Sequence, residues 1–134
     1  MSQKNVEVVR SIYERWEAGD FESVDWADLA IEYVVADGPG MDAGTGLAQM
    51  AEIQRDFLSA WEEWRVKADE YRTLDGGGVL VLFQFSGRGK RSGLDVGQIW
   101  TKGATLFELR DGKVVKIVQY LNRQRALATV GLSE

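Results

Sequence analysis

Histidine and cysteine are missing from this 134-residue chain altogether. Their absence excludes catalysis by an imidazole base or a thiolate nucleophile, and it excludes disulfides. It also removes the commonest zinc ligands, so that only carboxylate and carbonyl oxygens remain to hold a hard cation. Any acid–base chemistry must therefore come from Asp, Glu, Tyr, Lys or Arg, and we expect neither a metal nor a cofactor.

Long apolar runs and an excess of positive charge are missing as well. No stretch is long enough to span a bilayer, and residues 1–10 (MSQKNVEVVR) lack the apolar core of a signal peptide, which predicts a cytoplasmic protein. The net charge of −5 would repel nucleic acid and an anionic membrane, so we expect neither as a partner. A length of 134 residues, with 45% of them hydrophobic, predicts one domain over residues 1–134.

Hydrophobic spacing predicts helices in the first half of the chain. One amphipathic helix is expected over residues 2–18 with a stop at Gly19, and Asp20 is a candidate N-cap for a short second helix. A strand is predicted at residues 30–36, which are β-branched and aromatic. Thr45 is a candidate cap for a third helix. Its apolar face carries Leu47, Met50, Ile53, Phe57, Trp61 and Trp64.

The second half of the chain is predicted to consist mainly of strands. They are expected at residues 65–74, 79–87, 93–109 and 114–121. Asp111 followed by Gly112 is a strong hairpin signal between the last two strands, and a final helical turn is predicted within residues 123–132. Successive hairpins imply antiparallel pairing, so the pattern favours an α+β fold over an alternating parallel one.

A glycine-rich stretch lies between the first predicted strand and the third helix, where a nucleotide-binding loop would be found. Residues 38–46 (GPGMDAGTG) carry neither phosphate-binding motif. Gln49 stands where a dinucleotide fingerprint starting at Gly44 needs glycine, and no Gly-Lys-Ser/Thr ends the loop. We therefore expect a flexible loop at the mouth of a pocket.

Aromatic residues are the most informative part of the composition. The chain has five tryptophans and four tyrosines. Trp16, Trp26, Tyr33 and Trp61 all come from elements that should pack under the sheet. Several aromatics on one concave face are typical of a ligand cavity, in which phenols and indoles offer directional hydrogen bonds. For any single one of them, packing in the core is the competing interpretation.

Several short motifs, taken in their order along the chain, resemble a known family. They are residues 16–21 (WEAGDF), 26–33 (WADLAIEY), 46–47 (GL), 107–114 (FELRDGKV) and 120–122 (YLN). Together they resemble the nuclear transport factor two-like (NTF2-like) superfamily in its SnoaL-like branch. The superfamily includes ketosteroid isomerases, polyketide cyclases, epoxide hydrolases and proteins that only bind. The resemblance implies an α+β, cystatin-like fold, in which a cone-shaped, antiparallel-rich sheet wraps over N-terminal helices, and it implies a homodimer with a deep hydrophobic pocket.

The catalytic positions of that superfamily are occupied by other residue types in this chain. Ile12, Tyr33 and Thr105 stand where ketosteroid isomerases hold a tyrosine, a general-base aspartate and a second acid. Asn122 stands where cyclases and epoxide hydrolases hold the aspartate of a Tyr-x-Asp motif. An asparagine side chain can hydrogen-bond, but it cannot accept a proton near neutral pH. The best-understood chemistries of the superfamily are therefore not supported by these positions.

The residues and the resemblance together predict binding of a small, hydrophobic, ring-containing metabolite in an aromatic-lined pocket. If the protein is an enzyme, we expect a metal-free isomerase, cyclase or hydrolase, and the candidate catalytic residues are Tyr33, Asn122 and Asp37. The candidate ligand-binding residues are Trp16, Trp26, Phe57, Trp61, Phe83, Trp100 and Tyr120.

A second hypothesis is a non-catalytic dimeric binding or interaction module with a filled or degenerate pocket. In that case the outer face of the sheet is the functional surface. The residues expected on it are Gln98, Glu108, Lys116 and Gln119. The volume of the cavity separates the two hypotheses, because a ligand pocket measures about 300–1,000 Å³ and a filled one holds little beyond single waters.

Overall fold

The computed structural model describes residues 2–20, 23–36, 43–59, 61–89 and 101–130. The helices in this part of the chain are α1 (Ser2–Glu17), α2 (Leu47–Ser59) and α3 (Arg123–Val130). The strands are β1 (Ala27–Val35), β2 (Ala43–Thr45), β3 (Trp61–Thr73), β4 (Val79–Gly89), β5 (Thr101–Arg110) and β6 (Lys113–Tyr120). No helix among these described residues is long and apolar enough to cross a membrane.

The six strands form one curled, unclosed sheet in the order β2-β1-β6-β5-β4-β3. The pairs β1/β2, β3/β4, β4/β5 and β5/β6 are antiparallel, whereas β1 and β6 run parallel. The predicted α+β class with a curved, antiparallel-rich sheet is confirmed. The parallel pair joins the two parts of the sheet, because β6 comes back to lie beside β1 after the chain has passed through α2 and the β3–β5 meander.

Helix α1 packs on the inner face of the sheet through one apolar stripe. Its residues Val9, Ile12, Tyr13 and Trp16 recur at helical spacing and are all buried. Burial of each such side chain contributes about 1.5–3 kcal/mol. The helix ends at Glu17, and Gly19 follows it with a φ of 89° while its N–H donates to the Trp16 carbonyl oxygen at 3.0 Å. The predicted N-terminal helix is therefore confirmed.

Helix α3 packs on the opposite, outer face of the sheet. Its Leu127 joins a second apolar cluster with residues of β4, β5 and β6, among them Tyr120. Asn122 caps the helix, because its Oδ1 accepts a hydrogen bond from the backbone N–H of Arg125 at 3.2 Å. The predicted C-terminal helical turn is a full helix in the structure. Because α3 covers the outer face, the sheet carries buried apolar residues on both of its faces.

Two predicted helical segments differ from the structure. After Asp20 the described residues lead through a turn into β1, with the Asp20 carboxylate accepting a hydrogen bond from the Ser23 N–H at 3.2 Å. The predicted third helix also extends too far, because α2 ends at Ser59, before Trp61. Trp61 and Trp64 belong to β3, where the Trp64 ring stacks on Phe85 of the neighbouring strand with centroids 5.0 Å apart. Cross-strand aromatic packing of this kind outweighs helical periodicity for tryptophan.

The Asp111–Gly112 turn joins β5 to β6, as the sequence predicts. Both residues have positive φ angles, 53° and 79°, which is the conformation that Asp-Gly favours in a tight hairpin. The strand predicted over residues 93–109 is present as β5, while its residues before Thr101 lie outside the described part of the chain. The hairpin sets the β5/β6 register on which the inner face depends.

Candidate functional site

A cavity of about 40 Å³ lies between the inner face of the sheet and helices α1 and α2. The described residues that line it are Tyr13, Trp16, Tyr33, Val35, Gln54, Leu58, Trp64, Val66, Phe83, Gln119 and Leu121. None of these lining residues carries a charged side chain. The interior is therefore apolar, with a small number of neutral polar groups, which is the composition of sites for small organic molecules.

Aromatic rings form the wall of the cavity. The ring of Tyr13 lies 5.0 Å from Trp16 and 6.0 Å from Phe83, measured between centroids. Across the cavity, Trp64 lies half-buried on Phe85 of β4. The edge-to-face and tilted contacts fix each ring against the next, because aromatic quadrupoles favour these arrangements. The wall is consequently rigid on the α1 side.

A glycine at position 103 makes room for the Phe83 ring. A Cβ at Gly103 would lie 2.8 Å from a ring carbon of Phe83 and 2.7 Å from the backbone oxygen of Tyr120. Any larger residue on this part of β5 would push the ring into the cavity or separate the strands. Phe83 and Gly103 are direct partners in the β4/β5 ladder, so the ring occupies the space that a side chain at position 103 would need.

A chain of hydrogen bonds crosses the base of the cavity. The hydroxyl oxygens of Tyr13 and Thr105 are 2.6 Å apart, and Thr105 Oγ1 donates to Gln119 Oε1 at 2.7 Å. Tyr33 is hydrogen-bonded to Gln119 and to Gln54. These side chains come from α1, β5, β6, β1 and α2, so the network exists only when the sheet and both helices are assembled. Thr105 and Gln119 are direct cross-strand partners in the β5/β6 ladder.

The electrostatics of the site follow from burial. Burial raises the pKa of Tyr33 to about 12, although hydrogen bonds with Gln54 and Gln119 act in the opposite direction. Burial also raises the pKa of Tyr13 well above its usual value of 10.0, more than the Thr105 hydrogen bond lowers it. Both phenols are therefore neutral at physiological pH. They can donate or accept hydrogen bonds, but neither is a base.

Three of the predicted site residues line the cavity, namely Trp16, Tyr33 and Phe83. Trp26 lies behind the wall: its ring is 6.2 Å from that of Trp16, and its Nε1 donates to the Ser23 carbonyl oxygen at 2.8 Å. It supports the wall without being among the cavity-lining residues.

Of the other predicted residues, Tyr120 and Asn122 lie away from the cavity, and the rest fall wholly or in part outside the described residues. Tyr120 packs in the outer cluster under α3, on the face of the sheet away from the cavity, because neighbouring residues of a strand point to opposite sides. Asn122 is exposed and caps α3. Asp37 and Trp100 lie outside the described residues. The backbones of Phe57 and Trp61 belong to α2 and β3, and their side chains also lie outside the described part.

Sequence reasoning missed the residues that make the site polar. Gln119, expected on the outer face, lines the cavity, while Glu108 and Lys116 pair with each other in the β5/β6 ladder. Gln119 shares a face of β6 with the buried Ile117, but Val118 and Tyr120 make the opposite face apolar as well, so the spacing gave no signal for which face is inward. By contrast, Gln54 lies four residues after the buried Met50 on α2, and that spacing can be read from the sequence.

Comparison with known proteins gives the family. The SnoaL-like domain matches residues 9–117, while a search of curated proteins finds no match. An NTF2-like protein of unknown function from Burkholderia pseudomallei has a similar structure, with a TM-score of 0.75 and 15% identity over 95% of this chain and 97% of that one. A protein from Xanthomonas campestris proposed to be a polyketide cyclase has a TM-score of 0.68 and 20% identity over 96% and 98%.

TerC, whose crystals contained polyporic acid, is similar as well, with a TM-score of 0.71 and 16% identity over 95% of this chain and 97% of TerC. At these identities the structural likenesses show the fold alone. The fold agrees with the domain match, which spans most of the chain. The chain therefore belongs to the SnoaL-like family.

Proposed function

We propose that this protein binds a small, neutral, ring-containing molecule in the cavity between the sheet and helices α1 and α2. The observation that carries the proposal is the chain of neutral hydrogen-bonding groups along one side of an aromatic cavity. Aromatic walls favour flat apolar rings, and Tyr33 and Gln119 supply the few directional contacts that orient them. The similarity to TerC, which was crystallised with polyporic acid, supports a small organic ligand.

The size of the cavity decides how a ligand enters. A volume of about 40 Å³ holds only a water or two, so a ring requires movement of lining side chains. Leu58, Trp64 and Leu121 are half-buried, whereas Tyr13 and Phe83 are buried in the rigid wall. We place the entrance at the three half-buried residues, because their side chains can rotate into solvent at the smallest cost.

A volume of about 40 Å³ lies far below the roughly 300–1,000 Å³ of a ligand pocket, so the volume criterion by itself favours a second candidate function. A cavity filled by its own aromatic side chains fits a non-catalytic dimeric module that acts through the outer face of its sheet. The two functions differ in whether rotation of Leu58 and Trp64 opens a binding site, and a binding measurement separates them.

Catalysis would require a reaction of the bound molecule in the same cavity. The described lining residues include no carboxylate, so a metal-free isomerisation, cyclisation or hydrolysis would rely on the Tyr33 hydroxyl to stabilise charge on a substrate oxygen. Asp37, outside the described residues, is the candidate base for such a reaction. Asn122 is placed on the α3 side by its capping role, which argues against contact with a substrate in the cavity.

The binding proposal is tested by calorimetric titration with a panel of one- and two-ring neutral compounds, 1-indanone among them. We expect saturable binding by the wild type, with roughly tenfold or greater weakening in Leu58→Trp, because the larger side chain fills the entrance. Leu29→Trp is the matched control, since Leu29 is 80% exposed and is not among the cavity-lining residues. Saturable binding that Leu58→Trp leaves unchanged, or none at all, would favour the filled module.

A further inference from the structure

The first residue of α3, Arg123, binds the backbone of the cavity wall from the opposite face of the sheet. We infer that Arg123 holds the Phe83 ring back against Gly103 and thereby sets how large a ring the cavity accepts. The inference rests on the proposed function and names what controls ligand size at the same site. Arg123 is not among the described lining residues, so it is a positioning residue.

The guanidinium group of Arg123 joins β4 and β5 at the level of Phe83. Its Nη2 donates to the Phe83 carbonyl oxygen at 2.7 Å, and its Nε donates to the Gly103 carbonyl oxygen at 3.2 Å. Phe83 and Gly103 are direct partners in the β4/β5 ladder. One planar group therefore fixes a carbonyl on each member of a cross-strand pair, as the rigid fork of arginine donors allows.

Asp69 keeps the guanidinium in this position. Its Oδ2 accepts from Arg123 Nη2 at 2.9 Å, and both carboxylate oxygens accept from Gln84 Nε2 at 3.0 Å. Asp69 lies where the register of β3 and β4 shifts, and such a bulge turns a side chain out of the regular ladder. Arg123 is 7% exposed, and exchange of these partners by a buried charge is costly. The guanidinium is thus fixed from β3 as well as from α3.

The Phe83 ring lies on the other side of the same backbone. It is 2% exposed and fills the space over Gly103, with its centroid 6.0 Å from those of Tyr13 and Phe85. The carbonyl and the Cβ of Phe83 share one Cα, and only two backbone dihedrals relate them to the rest of β4. A carbonyl held by Arg123 consequently limits the rotation that would turn the ring away from Gly103 and into the cavity.

A small displacement of this ring has a large effect, because the cavity measures about 40 Å³. A ligand gains space where the entrance side chains rotate, and at the inner end it meets the Phe83 ring. If the ring moves towards the entrance, the remaining space becomes shorter. The loss is greater for a two-ring compound than for a one-ring compound, since overpacking grows with the volume inserted. Arg123 therefore controls ligand size without touching the ligand.

The test compares benzyl alcohol with 2-naphthalenemethanol, which share a functional group and differ by one fused ring. Calorimetry on the full chain, at a temperature where circular dichroism shows each variant folded, gives the ratio of the two Kd values. Arg123→Ala should shift this ratio roughly tenfold against the larger compound. Arg123→Lys should shift it in the same direction, because one ammonium group cannot bind both carbonyls and the carboxylate in the same geometry. The lysine variant also replaces Arg123→Ala if the latter does not fold.

Leu127→Ala is the matched control. Leu127 is 2% exposed in the outer cluster, so its truncation weakens the attachment of α3 but leaves the partners of the guanidinium in place. It should keep the wild-type ratio. In a Phe83→Leu background, Arg123→Ala should no longer shift the ratio, because the ring that it releases is gone. An unchanged or reversed ratio in Arg123→Ala, or an equal shift in Leu127→Ala, overturns the inference.

A measurement without ligand separates this inference from the proposed function. Nuclear Overhauser contacts between the Phe83 ring protons and the Gly103 Cα protons should be strong in wild type and Leu127→Ala, and weaker in Arg123→Ala. Contacts of equal strength in all three proteins overturn the positioning role of Arg123. If the contacts change as expected but wild type binds neither compound saturably, the proposed function and the control of ligand size fail, while the positioning of the ring stands.

Discussion

Buried phenols dominate the chemistry of the site at the scale of single residues. Tyr13 and Tyr33 lie in the wall of an apolar cavity, and burial keeps both neutral by raising their pKa values. The partner of the Tyr13 hydroxyl is the Thr105 hydroxyl, and the partners of Tyr33 are Gln54 and Gln119, so the hydrogen-bond partners of both phenols are neutral groups. Neutral networks of this kind give orientation without the desolvation cost of an ion pair.

The raised pKa of Tyr33 predicts a specific pH dependence of stability. The folded protein holds the Tyr33 proton up to about pH 12, whereas the unfolded chain releases it near the usual value of 10.0. This group therefore adds no pH dependence below pH 10, and its contribution is lost as the pH rises from 10 to 12. We expect the free energy of unfolding to fall by about 2–3 kcal/mol from this source.

Urea unfolding of wild type and Tyr33→Phe across pH 8–12 measures the effect, with lysine titration common to both proteins. The variant should lose stability less steeply above pH 10. Parallel curves would show that Tyr33 ionises as easily in the folded chain as in the unfolded one.

At the scale of secondary-structure elements, one arginine attaches helix α3 to the sheet. The buried Arg123 guanidinium donates to the carbonyl oxygens of Phe83 at 2.7 Å and Gly103 at 3.2 Å, and to Asp69 Oδ2 at 2.9 Å. Partial burial opposes ionisation of Asp69, but hydrogen bonds from Gln84 and Arg123 outweigh it and lower the Asp69 pKa. Three strands, β3, β4 and β5, thus meet at the first residue of α3.

Removal of this contact should loosen the outer layer. Arg123→Ala is expected to lower the free energy of unfolding by about 2–4 kcal/mol, because it removes a charged donor from two strand carbonyls and from the Asp69 carboxylate, which keeps its hydrogen bonds from Gln84. Arg125→Ala, two residues along the helix on its exposed side, should change it by less than about 0.5 kcal/mol. Chemical denaturation followed by circular dichroism compares the two, and similar losses would contradict the anchoring role.

The cap of α3 gives a third prediction, which separates structure from chemistry at Asn122. Asn122→Ala should lower stability by about 1 kcal/mol, since the first turn loses its side-chain acceptor. Its affinity for a ring ligand should equal that of wild type, because Asn122 is exposed and is not among the described lining residues. A large loss of affinity in this variant would show that Asn122 contributes to ligand binding.

At the scale of the whole molecule, the assembled fold is what creates the cavity. Its polar chain takes side chains from two helices and three strands, and the parallel β1/β6 pair brings Tyr33 beside Ile117, two residues from Gln119. Local opening of either helix therefore breaks the site. We expect unfolding of α1 and loss of ligand binding to occur together in denaturant.

The resemblance to NTF2-like proteins also predicts a homodimer. Sedimentation velocity of the full chain at tens of micromolar should show a species of twice the monomer mass of 15.0 kDa. A single monomeric species at that concentration would contradict the dimer and remove one support for the interaction-module hypothesis.

Much of this molecule could be predicted from its sequence. The lack of histidine and cysteine, the apolar stripe of α1 and the turn at Asp111–Gly112 are local facts that require no partner element. The order of short motifs was sufficient for the family and the fold, because the resemblance extends along most of the chain.

The tertiary structure decided which side chains line the cavity. Tyr120 and Gln119 are neighbours in sequence, and only the pairing of β6 with β1 and β5 determines that Gln119 faces inward and Tyr120 lies under α3. A shift of one residue in a strand exchanges its two faces, and residue type alone cannot report that shift when both faces of the sheet are apolar. The sequence by itself determined an α+β fold that is rich in aromatic residues and contains no histidine. The strand register decided which polar side chains line the cavity.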